Sequence, residues 1–316
     1  MRRTQHSSYS QLMFTIAALY HFTAFDHPGW LLGPLEDQCI DNGITGILLL
    51  AEEGINGTIC GTRSDIDCIL EYIRSLPGCE KLTHKESTAE LPPFARMNVK
   101  LKKELVSFGQ PNLDPKMEVG QYVEAKDWNG LISSRNVAVI DTRNNYEVRI
   151  GTFNGSIDPG TESFRDFPQW WEVNKYRFLQ KRIAMFCTGG IRCEKSTRYL
   201  RSQGIKEVYH LKGGILKYLE EVPKEDSKWQ GECFVFDARV SVGHGLKKGP
   251  YQLCYACRRP ILPEDKNKKE YEHGVACHHC SHETSETDKN RFRERQKQIL
   301  LARGRGKKHI TGYDGN

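Results

Sequence analysis

The sequence has no run of 18 apolar residues, so no membrane-spanning helix is expected. It carries no glycine fingerprint of a flavin or nicotinamide site, and no His-His-carboxylate triad for non-haem iron stands out. No internal repeat is visible. The start has only part of a secretory signal: Arg2 and Arg3 precede the apolar LMFTIAAL (12–19), but no small-residue cleavage site follows. The run continues as YHFTAF, the pattern of a first core strand. Excess charge is also scarce, at +6 over 316 residues. Cysteine is plentiful: eleven are present, an odd number, and six sit in two tight motifs. That usage argues against a secreted disulfide scaffold and for catalytic or metal-binding thiols in a reducing cytoplasm.

A chain of this length predicts two or three domains. Residues 1–10 are polar and expected to be flexible. Apolar segments at Phe14–Phe25, Ile44–Leu50, Thr58–Cys60, Lys81–Ser87 and Val99–Leu105 read as strands, the last two as a further strand pair. Trp30–Ile40 reads as a helix stopped by Asn42-Gly43. A second helix, capped by Ser64, sets Ile66, Ile69, Leu70 and Ile73 on one face. The order β-α-β-β-α-β predicts a ferredoxin-like (acylphosphatase-like) α+β domain over 11–110. In the EEGIN segment, Glu52–Gly57 is expected at a strand-to-strand connection. Gly54 and Gly57 would give unusual backbone angles there, and Asn56 would satisfy its own turn. The segment reads either as a plain hairpin with solvated acids or as a surface facing the catalytic site or RNA. Pro111 and Pro115 mark a linker over 111–122. From 123 to 226 the pattern alternates: strands Val137–Asp141, Arg182–Cys187 and Val208–Leu211, a helix Glu194–Gln203 ended by Gly204, and another opened by Gly213-Gly214. This is an α/β domain with a buried parallel sheet.

The loop FCTGGIRCEKS (186–196) leaves the carboxyl end of a buried strand and enters a helix, where open α/β sheets place their ligands. Gly189 and Gly190 let backbone N–H groups converge, the helix start adds partial positive charge, and Arg192 adds a cation. Each favours a thiolate at Cys187, below the ordinary value of about 8.5. The spacing is Cys-x4-Arg, one residue shorter than a phosphate-sized Cys-x5-Arg cradle. Thr188, Gly189, Gly190, Ile191, Arg192 and Cys193 complete the loop. Cys187 is the expected catalytic thiol. Cys193 can attack a persulfide on Cys187, form a transient disulfide, or only pack.

Farther on, Cys254-x2-Cys257 and Cys277-x2-Cys280 stand nineteen residues apart, the spacing of a four-thiolate structural zinc site over 227–288. The stretch from Lys289 to Lys308 holds nine basic residues and one acid, Glu294, and opens a basic tail over 289–316. Lys247, Lys248, Arg258 and Arg259 flank the first knuckle; Arg291, Arg293, Arg295, Arg303 and Arg305 follow in the tail. Together they predict a salt-sensitive nucleic-acid footprint. Aromatic residues are sparse in the tail, so base stacking is not expected from it.

The short loop, IDTRNNYEVRIGTFNGSI (140–157, with Asp141, Arg143 and Glu147) and HLKGGILKY (210–218) together resemble a rhodanese domain. With LAEEGINGTICG (50–61), the chain from about Ile16 to Cys280 resembles the bacterial family of oxygen-dependent tRNA uridine hydroxylases. That resemblance implies an N-terminal acylphosphatase-like domain, a central rhodanese domain and a Cys-rich tail. It implies formation of 5-hydroxyuridine at the wobble position of tRNA, molecular oxygen as co-substrate, Cys187 as a persulfide-type essential thiol, and the anticodon region of tRNA as partner. A plain sulfurtransferase and a non-enzymatic RNA-binding scaffold are the alternatives. The intact Cys187 and Arg192 argue against the scaffold, and the flanking segments against the plain sulfurtransferase.

Overall fold

The computed structural model describes residues 13–110, 113 and 118–306. The expected flexible N-terminus, residues 111, 112 and 114–117 of the linker, and the tail from 307 onward lie outside them. The chain divides between Leu105 and Val106 into two compact units.

The first unit runs β1 (Phe14–Phe22), α1 (Pro28–Asp41), β2 (Thr45–Ala51), β3 (Gly54–Gly61), α2 (Arg63–Ser75), β4 (His84–Ala89) and β5 (Met97–Leu101). Its sheet order is β4-β1-β3-β2-β5. β1 pairs antiparallel with β3 and β4, β2 antiparallel with β3, and β5 joins β2 in parallel. This is the expected α+β sandwich with a mixed sheet. The two late strands do not pair with each other; they occupy opposite edges. Ile66, Ile69, Leu70 and Ile73 of α2 are all buried, each worth about 1.5–3 kcal/mol over exposure. The cap of α2 is Thr62, not Ser64: its hydroxyl accepts the Asp65 N–H and donates to the Asp65 carboxylate. The helix therefore starts earlier than the apolar face suggests.

In the EEGIN segment, Ala51 pairs with Gly54, so Glu52-Glu53 is a two-residue hairpin turn. Gly54 has φ +131°, and a Cβ there would lie 2.1 Å from the His21 carbonyl oxygen. Gly57 is needed for a different reason, because its Cβ would fall 2.0 Å from the Ile47 carbonyl oxygen. Asn56 does not close its own turn. It lies inside β3, its backbone is committed to pairing, and its side-chain amide donates to the Leu105 carbonyl at 3.5 Å. The Leu105 N–H in turn donates to Glu53 Oε1 at 2.5 Å.

The second unit begins with β6 (Gln121–Val123), α3 (Ala125–Ile132), β7 (Val137–Asp141), α4 (Asn145–Val148), β8 (Gly151–Phe153), α5 (Phe167–Asn174), β9 (Arg182–Phe186), α6 (Ile191–Ser202), β10 (Val208–Leu211) and α7 (Gly214–Glu221). The sheet order is β6-β10-β9-β7, all parallel. One core cluster joins α3 and α7 around Trp128, Phe186 and Tyr218; another joins α5 and α6 around Trp171, Met185 and Leu200. Both faces of the sheet are therefore covered, which explains the unbroken apolar runs of β7 and β9. Helix α6 starts at Ile191 rather than Glu194, because Gly190 at φ +107° turns the chain directly into it. It stops at Ser202, with Gly204 at φ +85° just beyond. After α7 come β11 (Trp229–Gly231), paired with β8, the hairpin β12 (Cys233–Phe234) and β13 (Ser241–Val242), the hairpin β14 (Gln252–Leu253) and β15 (Pro260–Ile261), and α8 (Glu286–Gly304). Much of the expected basic tail is thus a helix, capped by Ser285. Among the described residues no helix is long and apolar enough to cross a membrane.

Candidate active site

Cys187 follows the last residue of the central strand β9 and is fully buried. Two anchors fix the loop after it. The first residues of α7 supply free helix-start N–H groups: Ile215 donates to the Cys187 carbonyl at 3.0 Å and Leu216 to the Thr188 carbonyl at 3.1 Å. Gly214 makes this approach possible, since a Cβ there would lie 2.5 Å from the Cys187 carbonyl oxygen. With its carbonyls tied outward, the loop turns an N–H inward, and Gly190 donates to Cys187 Sγ at 3.1 Å.

The second anchor is a buried carboxylate. Glu147, on α4, takes Arg192 in a two-pronged ion pair at 2.5 and 2.8 Å. It also accepts from the Thr188 hydroxyl at 3.2 Å and from the Asn144 N–H at 3.2 Å. The sequence offers Arg192 as a free cation for an anionic ligand; in the fold its guanidinium is committed to Glu147. A second buried pair lies alongside. Asp141 receives Arg143 Nε at 2.9 Å and Nη2 at 2.6 Å, and the Thr152 hydroxyl at 2.8 Å. Arg143 also donates to the Gly151 carbonyl and lies over the Trp229 ring. Removing either partner of such a buried pair leaves the other charge uncompensated in the interior.

Three buried thiols surround this network, and their environments differ. For Cys187, burial opposes ionisation, but the Cys193 thiol, the Arg192 charge and the backbone N–H groups of Cys193 and Gly190 outweigh it and hold its pKa well below the ordinary value. Cys193, the third residue of α6, is driven the other way by burial and by its bond to Cys187. It lies 3.7 Å from the Thr142 hydroxyl. Burial pushes Cys233 up to about 12 against the opposing Arg143 charge. Of the three, Cys187 is the one whose surroundings favour the thiolate. Within the loop, Gly189 and Ile191 are the partly exposed positions.

Sequence reasoning did not single out the flank of α6. Tyr122 donates to both Glu194 carboxylate oxygens at 2.9 and 3.0 Å, and its ring lies 4.3 Å from the buried His210 ring. Burial pushes His210 down to about 4, leaving a neutral imidazole inside the sheet. The only sequence signal is a histidine and a tyrosine at facing positions of two strands far apart in the chain.

The sulfurs of Cys254, Cys257, Cys277 and Cys280 lie within 4.8 Å of one another. Cys277 Sγ is 3.8 Å from both Cys257 Sγ and Cys280 Sγ. A tetrahedron of thiolates at the usual zinc–sulfur distance of about 2.3 Å has sulfur–sulfur edges of about 3.8 Å. The four cysteines can therefore hold a metal such as zinc, with every position filled by protein. This module is tied to the segment that carries the parallel sheet. Arg259 donates to Glu283 at 2.8 Å and to the His279 carbonyl at 3.1 Å, and it approaches Glu162 at 3.8 Å. Glu162 in turn accepts from Asn145 of α4.

The basic residues divide by their partners. Arg291 pairs with Asp288, Arg293 with Glu272 and Glu286, and Arg295 donates to the Tyr255 and Gly274 carbonyls. Arg258 has φ +65° beside the first knuckle. Lys247, Lys248, Arg303 and Arg305 are exposed.

A UPF0176 acylphosphatase-like domain model matches residues 14–105 and a rhodanese-like domain model matches 124–221. The chain is 67% identical over 301 residues to the tRNA uridine(34) hydroxylase of Ruegeria pomeroyi, covering 95% of this chain and all of that protein. It is 59% identical to the protein of the same name from Roseobacter denitrificans, covering 93% and 100%. With that of Gluconobacter oxydans it shares 54% identity, covering 93% and 96%.

Proposed function

The chain belongs to the tRNA uridine(34) hydroxylase family, and from that membership we propose that it converts the wobble uridine of tRNA to 5-hydroxyuridine with molecular oxygen, using Cys187 as the essential thiol. The observation that carries the assignment is the environment of Cys187. A buried sulfur at a strand end accepts the Gly190 N–H and its surroundings favour the thiolate, while burial and the bond to Cys187 favour the protonated form of the neighbouring Cys193. A thiolate is the form that accepts sulfane sulfur as a persulfide or attacks an electrophilic carbon. The Glu147–Arg192 pair then acts as a positioning device, fixing the loop and leaving the N–H groups aimed at Sγ.

Cys193 donates its S–H toward Cys187, and its proximity also suits a transient disulfide. Zinc at Cys254, Cys257, Cys277 and Cys280 would be structural. Lys247, Lys248, Arg258, Arg259, Arg291, Arg293, Arg295, Arg303 and Arg305 form the proposed tRNA-facing set, with the exposed members contacting phosphate. A tRNA substrate and reduced thiols fit a cytoplasmic site of action.

The test is mass spectrometry of tRNA nucleosides from a strain lacking the gene, complemented with wild type, Cys187→Ser or Cys193→Ser. We expect 5-hydroxyuridine-derived nucleosides to fall in the deletion, to return with wild type and to stay absent with Cys187→Ser. Full complementation by Cys187→Ser would overturn the catalytic assignment. Normal modification in the deletion, with sulfane-sulfur transfer by the purified protein, would favour the sulfurtransferase.

A further inference from the structure

The segment FVFDARV (234–240) joins β12 to β13 and plays no part in the site described above. Phe234 and Val235 are buried, yet Phe236 between them and the turn is 64% exposed. The loop around it is tied. Val235 N–H donates to the Val240 carbonyl at 2.9 Å and Val240 N–H to the Asp237 carbonyl at 3.0 Å. Asp237, itself buried, fixes Arg239 through its backbone N–H at 2.9 Å, Nε at 2.9 Å and Nη2 at 2.6 Å. Val240 sits at φ +64°, a conformation that a β-branched residue adopts only when its surroundings impose it. A loop this constrained presents Phe236 by construction, so its exposure is not a failure of packing.

Two further observations say what Phe236 faces. It stands edge-on to Phe234 at 5.0 Å, and Phe234 stands edge-on to Tyr146 at 5.2 Å. Tyr146 directly precedes Glu147, the carboxylate that clamps Arg192 and Thr188 of the Cys187 loop. An aromatic series thus runs from the segment holding the catalytic loop to the surface. Beside it, Val242 of β13 bridges to Lys248 in antiparallel fashion, and Gly243 N–H donates to the Lys247 carbonyl. The exposed Lys247 and Lys248 therefore lie on the chain adjoining the hairpin that carries Phe236. Since Val242 pairs with Cys233, these lysines adjoin the end of the hairpin away from the Phe236 turn. An exposed ring and exposed cations spaced along one hairpin supply the two contacts that single-stranded nucleic acid uses: stacking for a base, charge for the phosphates.

We propose that Phe236 is a stacking platform for an unpaired base of the RNA substrate, with Lys247 and Lys248, farther along the same hairpin, as phosphate contacts. This deepens the functional reading above and rests on RNA being the substrate. It assigns base contact to a loop in the middle of the chain, leaving the C-terminal helix to backbone contact alone.

The test uses the full-length protein and an anticodon stem-loop RNA carrying 2-aminopurine beside the target uridine. Phe236→Ala should weaken binding about 5- to 150-fold, the range for losing one base–aromatic stack, and abolish quenching of the 2-aminopurine. Phe236→Tyr should retain both. The double variant Lys247→Ala/Lys248→Ala should weaken binding and flatten the plot of log affinity against log salt by up to about 1.4, at about 0.7 for each phosphate no longer neutralised. Unchanged affinity and quenching in Phe236→Ala, with a melting temperature equal to wild type, would overturn the proposal. So would a loss of affinity that Phe236→Tyr shares, or loss of a co-purifying protein with RNA binding intact. Failure of the wild-type protein to bind the stem-loop would instead overturn the RNA reading itself, and the platform with it.

Discussion

Replacing Glu147 with Gln separates the shape of the loop anchor from its charge. The wild-type carboxylate receives Arg192 at 2.5 and 2.8 Å, Thr188 at 3.2 Å and the Asn144 N–H at 3.2 Å, with no exposure of its own. A glutamine keeps the volume and one acceptor oxygen but leaves the Arg192 guanidinium buried without a countercharge. Removing one partner of a buried pair costs about 3–5 kcal/mol; the retained acceptor puts this variant near the lower bound, at about 3 kcal/mol. In a unit of this size each 1 kcal/mol moves the melting temperature by about 2–4 °C, so a fall of about 6–12 °C is expected at neutral pH. Burial by itself would raise the Glu147 pKa, but Arg192, then Arg143 and the Asn144 amide hold it below the ordinary value. The stabilisation is therefore complete above the unfolded carboxylate value of about 4.3 and is lost as pH falls from there through the lower folded value. The gap between wild type and variant should narrow over that acid range. Pairing the change with Arg192→Met, which removes the stranded cation, should recover much of the lost stability. Calorimetric melting across pH reads all of this. A single variant that melts within about 1 °C of wild type, or a double variant no better than the single, would refute the view that the charge pair holds the loop.

Cys193→Ala removes the thiol that donates to Cys187, so the pH midpoint for iodoacetamide alkylation of Cys187 should move up from its depressed position toward the ordinary thiol value of about 8.5; an unmoved midpoint would show that Arg192 and the backbone N–H groups suffice. Metal analysis of the purified protein should find one zinc per chain, and chelation should melt the Cys254–Cys280 module first because its core holds few apolar residues beyond the cysteines. Metal-free protein with an unchanged melting profile would remove zinc from the account.

The features legible in the sequence are those whose partners are close in the chain or repeat with a regular period. The face of α2 follows from helical spacing, β7 and β9 from unbroken apolar runs, and the Cys187 loop and paired knuckles from fixed short separations. Starts and turns are where sequence and fold part company. Thr62 rather than Ser64 caps α2, α6 begins at Ile191, and Asn56 is drawn into a strand, because local hydrogen bonding and strand pairing decide those positions. The larger gap concerns charge. In the sequence Arg192 is a cation beside a thiol, and α8 is a row of arginines. In the fold Arg192 meets Glu147 from forty-five residues away, and Arg293 meets Glu272. A charge with an internal partner shapes its surroundings by position, whereas an exposed one is available to a ligand. By that criterion the functional weight shifts away from the tail's arginine count. Under the proposed function it falls on the Cys187 thiol and on the exposed cations Lys247, Lys248, Arg303 and Arg305.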